Sequence, residues 1–132
     1  MTGMPIIDSS VFVKYVSREE GWKEAEKHLL RPVTLPLALK EIANALRTKT
    51  LDGALSPKYA KEVISKITSM VRILDQGDIL VDSYQIALDH RITVYDALFI
   101  AAAIRSKEEL VTCDSEQAKV GRALGLKVKT IS

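Results

Sequence analysis

The sequence predicts an α/β fold of three α/β/α layers, with a central, mostly parallel sheet of about five short strands. Three observations predict it. Short apolar runs alternate with stretches of helical periodicity along the whole chain. The connections between them are short, which suits parallel strands joined by covering helices. The chain has 132 residues, 47% of them hydrophobic and 27% charged, enough for one core, so a single domain over 1–132 is expected.

The first strand is MPII (4–7). It ends in Asp8-Ser9-Ser10, small polar residues that favour the N-cap of a helix through VFVKYV. A second helical stretch, WKEAEKHLL (22–30), carries Trp22, Ala25 and Leu29 at helical spacing and stops at Arg31-Pro32. VTL (33–35) reads as a buried strand, and Pro36 opens a helix over LALKEIANALRTK, with Leu39, Ile42, Ala43 and Leu46 on its apolar face. Leu51-Asp52-Gly53 turns the chain. Ser56-Pro57 then starts a long helix to about Leu74, striped by Ala60, Val63, Ile64, Ile67 and Val71.

Gly77 is expected to close that helix, DILV (78–81) to form a strand, and SYQIALDHR (83–91) another helix. Thr93 stands three residues before Asp96, the spacing of a capping box, and opens VYDALFIAAAIRSK. That helix is apolar nearly all round and should be buried. LVT (110–112) and LKVKTI (126–131) complete the strands, joined by SEQAKVGRAL with Gly125 at its end.

Charge alone neither demands nor excludes a nucleic-acid partner, because 19 basic and 17 acidic side chains leave a net charge of +2. The one cysteine, Cys113, cannot form an internal disulfide, and His28 and His90 lack ligand spacing, so a reducing, cytoplasmic setting is expected. No secretory leader pattern is read at the start. The longest apolar run, ALFIAAAI (97–104), is too short to span a membrane, so the protein is read as soluble.

In open parallel sheets ligands bind beyond the carboxyl ends of strands, and Asp8 and Asp114 both follow a strand and precede a helix. Each alone is readily explained as a helix cap, and Asp96 as the acid of its capping box. Glu41 is different. It lies among Leu37, Ala38, Ile42 and Ala45, where a carboxylate must find a partner. Two carboxylates about 4 Å apart repel by roughly 4 kcal/mol at an effective dielectric of 20, so a cluster of such acids needs a cation. An all-oxygen donor set suits Mg2+ or Mn2+.

The segments IIDSSVFVKY, LALKEIANAL, TVYDALFIAAA and LVTCDSEQAKVGRALG, in that order and spacing, resemble the PIN domain, and within it the VapC-like toxin ribonucleases. The resemblance spans nearly the whole chain. It implies a PIN-like fold and a metal-dependent ribonuclease, an endonuclease in preference to an exonuclease, with Asp8, Glu41, Asp96 and Asp114 as the catalytic, metal-holding acids. It further implies supporting roles for Ser10, Asn44 and Thr112. Glu116 stands where many relatives carry another Asp. An antitoxin partner follows from the same resemblance; a homodimer through the striped 57–74 helix is consistent with it, and core packing alone would also explain that stripe.

Lys14 and Arg47, with Lys49 nearby, are candidate contacts to RNA phosphates, though solvated cationic side chains are common. Cys113 has no histidine in its motif and is read as packing, and Tyr15, Trp22, Tyr84 and Tyr95 are too scattered for a base-stacking platform. A non-catalytic RNA- or protein-binding module of the same fold is the alternative. A receiver-like phospho-acceptor domain is disfavoured, because Asp8 is followed by Ser9-Ser10 and not by a second acid.

Overall fold

The computed structural model describes residues 3–132. Its five strands are β1 (Ile6–Ile7), β2 (Val33–Thr34), β3 (Arg72–Ile73), β4 (Leu110–Thr112) and β5 (Val128–Thr130), paired in parallel in the order β3-β2-β1-β4-β5. Seven helices surround them: α1 (Ser9–Val16), α2 (Trp22–Glu26), α3 (Pro36–Leu51), α4 (Pro57–Met70), α5 (Leu80–His90), α6 (Val94–Ser106) and α7 (Ser115–Ala123).

The three layers follow from strand alternation. Ile6 and Leu110 point into a core shared with α6, which buries every residue from Ala97 to Ala103. Ile7 and Val111, one step on, point the opposite way, into a core with Val11, Phe12, Ile42, Leu46, Ala60 and Ile67 from α1, α3 and α4. Central strands buried on both faces explain the unbroken apolar runs of the sequence.

From β1 the chain winds outward through β2 to β3; from β4 it winds the other way to β5. The two directions part between β1 and β4, which are neighbours (Ile6 opposite Leu110, Ile7 opposite Val111). This is the topological switch point of the sheet, and Asp8 and Asp114 stand at its carboxyl edge.

Two expectations are corrected. The helix expected to reach Leu74 stops at Met70: Val71 turns to extended backbone (φ −84°, ψ 147°), and Arg72 N–H and Leu74 N–H donate to the Pro32 and Thr34 carbonyls (both 2.9 Å). The third strand is therefore Arg72–Ile73 and not DILV. Residues 77–79 form a 3-10 turn whose Gly77 N–H is capped by Asp75, and Leu80 and Val81 begin α5 with exposed side chains. Gly77 thus opens an element where it was expected to close one. Elsewhere α2 ends at Glu26, short of the expected Leu30, β1 begins at Ile6 and not Met4, and β5 covers Val128–Thr130 of the expected 126–131. Among the described residues no helix is long and apolar enough to cross a membrane.

Candidate active site

Backbone geometry brings the acids together. Asp8 N–H donates to the Val111 carbonyl (2.9 Å), which locks the end of β1 to β4. Asp8 then caps α1: its Oδ2 accepts from Ser10 N–H (3.1 Å), Ser10 Oγ (2.5 Å) and Thr112 Oγ1 (3.3 Å). Asp114 caps α7 in the same manner, Oδ1 accepting from Glu116 N–H (2.9 Å) and Gln117 N–H (3.1 Å). Thr112 joins the two, since its hydroxyl oxygen accepts from Asp114 N–H (3.0 Å) while it donates to Asp8.

The cap and ligand readings are therefore not alternatives. One oxygen of each Asp satisfies a helix terminus; of the others, Oδ1 of Asp8 meets only a long contact from Gln117 Nε2 (3.5 Å) and Oδ2 of Asp114 has no hydrogen bond among the described residues. Glu41 repeats the pattern from α3, with Oε1 accepting from Ser9 Oγ (3.0 Å) and Oε2 without a hydrogen bond among the described residues. Asp96 is set by Thr93, whose hydroxyl accepts from Asp96 N–H (3.1 Å) at the start of α6.

Electrostatics show that these groups feel one another. Burial raises the Asp8 carboxyl, against hydrogen bonds from Ser10, Thr112 and Gln117 that lower it. Glu41 is pushed up to about 6, first by burial, then by the charges of Asp8 and Asp96 acting against the Ser9 hydrogen bond. Asp96 is raised by burial and then by the charges of Asp114 and Asp8. Among the described residues no Lys, Arg or His forms an ion pair with any of the four. Like charges are thus concentrated without compensation.

Among the described residues no three acid, histidine or cysteine side chains stand together closely enough to hold a metal ion by themselves. The donor set nevertheless fits a hard divalent cation: it is all oxygen, Glu41, Asp96 and Asp114 each keep an oxygen with no hydrogen bond among the described residues, Asp8 Oδ1 meets only the long Gln117 contact, and Mg2+ retains several waters and needs only one or two carboxylates.

Other expected residues lie differently. Ser10 and Thr112 are in the network, and Cys113 N–H donates to Ser10 Oγ (3.0 Å). Asn44 and Arg47 are exposed on α3, and neither side chain has a hydrogen bond among the described residues; Glu116 is exposed and meets Asp114 only through its backbone. Lys14 donates to the Glu20 carbonyl (2.8 Å), and Lys49 pairs with Glu19 (2.8 Å). Two residues were missed by sequence reasoning. Ser9 holds Glu41, and fully buried Gln117 reaches the Asp96 carbonyl (3.0 Å) and Asp8 Oδ1 (3.5 Å). Gln117 sits three residues after the cap Asp114, the place of a capping-box Gln, but its amide turns to other partners.

A groove of about 420 Å3 lies apart from the acids, between α1, α2 and α4, lined by Phe12, Tyr15, Leu29, Tyr59, Ile67 and Met70.

Fold and site together define a class: a parallel α/β domain with an oxygen-only acidic centre at its switch point. Residues 6–123 match the model of the PIN domain, and the chain belongs to that family. It is 29% identical over 125 residues to Ribonuclease VapC3 of Pyrobaculum aerophilum, covering 90% of this chain and 95% of that protein. The crystal structure of PAE2754 from Pyrobaculum aerophilum shares the fold with a TM-score of 0.75 at 23% identity, over 97% of this chain and 92% of that one. VapBC2 from Rickettsia felis, bound to a DNA fragment from their promoter, gives 0.71 at 14% over 98% and 99%. A toxin-antitoxin complex from Klebsiella pneumoniae gives 0.63 at 17% over 86% and 88%.

Proposed function

We propose that this protein is a Mg2+- or Mn2+-dependent ribonuclease that hydrolyses RNA phosphodiester bonds internally, and the toxin half of a toxin–antitoxin pair. The observation that carries the reading is that Asp8, Glu41, Asp96 and Asp114, from four separate segments, raise one another's charge cost, while among the described residues none of them has a cationic partner. The likeness to Ribonuclease VapC3 supports RNA as substrate, and the VapBC2 and Klebsiella structures support an antitoxin partner.

A bound divalent cation would supply charge neutralisation and activation of a water for attack on phosphorus. Asp8, Asp96 and Asp114 would hold it. Glu41, raised towards neutrality and steadied by Ser9, is placed to orient the attacking water and take its proton. Ser10 and Thr112 keep Asp8 in one rotamer. Arg47, exposed and unpaired among the described residues about 1.7 turns beyond Glu41, is free to meet a phosphate; Lys14, engaged by the Glu20 carbonyl, is less so. A homodimer and a cytoplasmic location belong to the same reading.

The test is cleavage of mixed RNA with Mg2+, Mn2+ or EDTA, beside Asp8→Asn. The expected result is cleavage with either metal, none in EDTA, and none by the variant. Cleavage that survives EDTA, or an active Asp8→Asn protein, overturns the mechanism. RNA binding without any cleavage would leave the non-catalytic module.

A further inference from the structure

Among the described residues Gln117 is the one that hydrogen-bonds, through backbone and side chain together, at three of the four acids. Its backbone N–H donates to Asp114 Oδ1 (3.1 Å), and its Nε2 donates to the main-chain carbonyl of Asp96 (3.0 Å) and faces Oδ1 of Asp8 (3.5 Å). Both groups in front of the amide are acceptors, so the carboxamide must present its NH2 to them. Oε1 is left buried with no hydrogen-bond donor among the described residues.

That arrangement is a poor choice for packing alone. A long polar side chain with no exposed surface forfeits its rotamer freedom, and an unpaired buried acceptor is unfavourable, so an apolar residue of the same volume would serve the α6–α7 contact better. What the amide achieves is a fixed separation. It ties the first turn of α6, which carries Asp96, to the N-terminus of α7, which carries Asp114, and sets both against the end of β1.

Resting on the reading of these acids as a cation site, we infer that Gln117 is a positioning residue that sets the spacing of Asp8, Asp96 and Asp114 for a shared divalent cation. It steadies Oδ1 of Asp8 and acts through the acids, without contact to the substrate.

The experiment uses the full chain, with Gln117→Met and Gln117→Leu as volume-matched variants and Asp8→Asn as control. Mn2+ affinity is measured by titration followed by electron paramagnetic resonance, well below the melting temperature, and melting is recorded in EDTA. The expected result is melting in EDTA at or above that of the unaltered protein, with Mn2+ affinity lower by about 10- to 100-fold, the usual effect of losing a group that orients metal ligands. If both variants bind Mn2+ as the unaltered protein does while Asp8→Asn does not, the positioning role is wrong and the cation site stands. If the unaltered protein binds Mn2+ no better than Asp8→Asn, the cation site itself is wrong, and this role falls with it. Should one variant fold poorly by circular dichroism, the other decides. Lowered melting in EDTA with unchanged Mn2+ affinity marks a purely structural tie and overturns the inference.

Discussion

At Asp8 one carboxylate oxygen takes three donors while its twin meets only a distant amide, and this asymmetry is the chemical content of the site. Its energetic counterpart is Glu41. A carboxyl whose folded pKa is raised from 4.5 to about 6 binds more protons when folded than when unfolded between those values, so it makes stability fall as pH rises through that window. Glu41→Gln keeps an acceptor for Ser9 Oγ and removes the charge. Its melting in EDTA should match the unaltered protein at pH 4 and exceed it at pH 7.5 by roughly 1 kcal/mol, about half of what the shift implies, because the half-buried carboxylate is screened by solvent. Urea titrations at the two pH values check this; lower stability of the variant at pH 7.5 would show that Glu41 has a cationic partner in solution. Cleavage should be lost in the same variant. Asp8 and Asp114 were legible in the sequence because a strand, an acid and a helix follow one another there. Gln117 was not, because its partners lie 21 and 109 residues away and only packing joins them.

Helix termini do two tasks here, and the two can be separated. Ser56 caps α4 by accepting from Tyr59 N–H (3.1 Å), and Thr93 caps α6 by accepting from Asp96 N–H (3.1 Å). Replacing either by Ala should lower stability by about 1 kcal/mol. Only Thr93→Ala loosens a turn that carries one of the acids, so it should also lower cleavage several-fold, whereas Ser56→Ala should leave it unchanged. Parallel melts and cleavage assays distinguish them; equal activity in both would mean that the α6 terminus does not govern Asp96. Both caps were readable as short motifs. The misplaced third strand was not, for a physical reason. Arg72 and Ile73 are exposed, so no apolar run marks them, and the strand exists through backbone bonds to Pro32 and Thr34. The apolar DILV run misled because Ile79 alone turns inward.

For the molecule as a whole, uncompensated acids imply a fold whose stability depends on what is dissolved around it. Mn2+ at about 100 times its dissociation constant should add about 2.7 kcal/mol, a rise in melting temperature on the order of 10 °C for a domain of this length. Asp8→Asn should show little of that rise, and scanning calorimetry with and without EDTA checks both. The three-layer architecture was legible because strand and helix periodicities alternate so regularly, and the order of the sheet was not, since pairing partners leave no mark in periodicity. That order also has a temporal side. Asp8 and Asp114 follow adjoining strands but are separated by most of the chain, so the loop between them must close before they meet. A chain folded only as far as β3 can already pair β1 with β2, yet Asp8 then has neither the Val111 carbonyl nor the Thr112 hydroxyl that fix it, so the acidic centre is completed only when β4 docks.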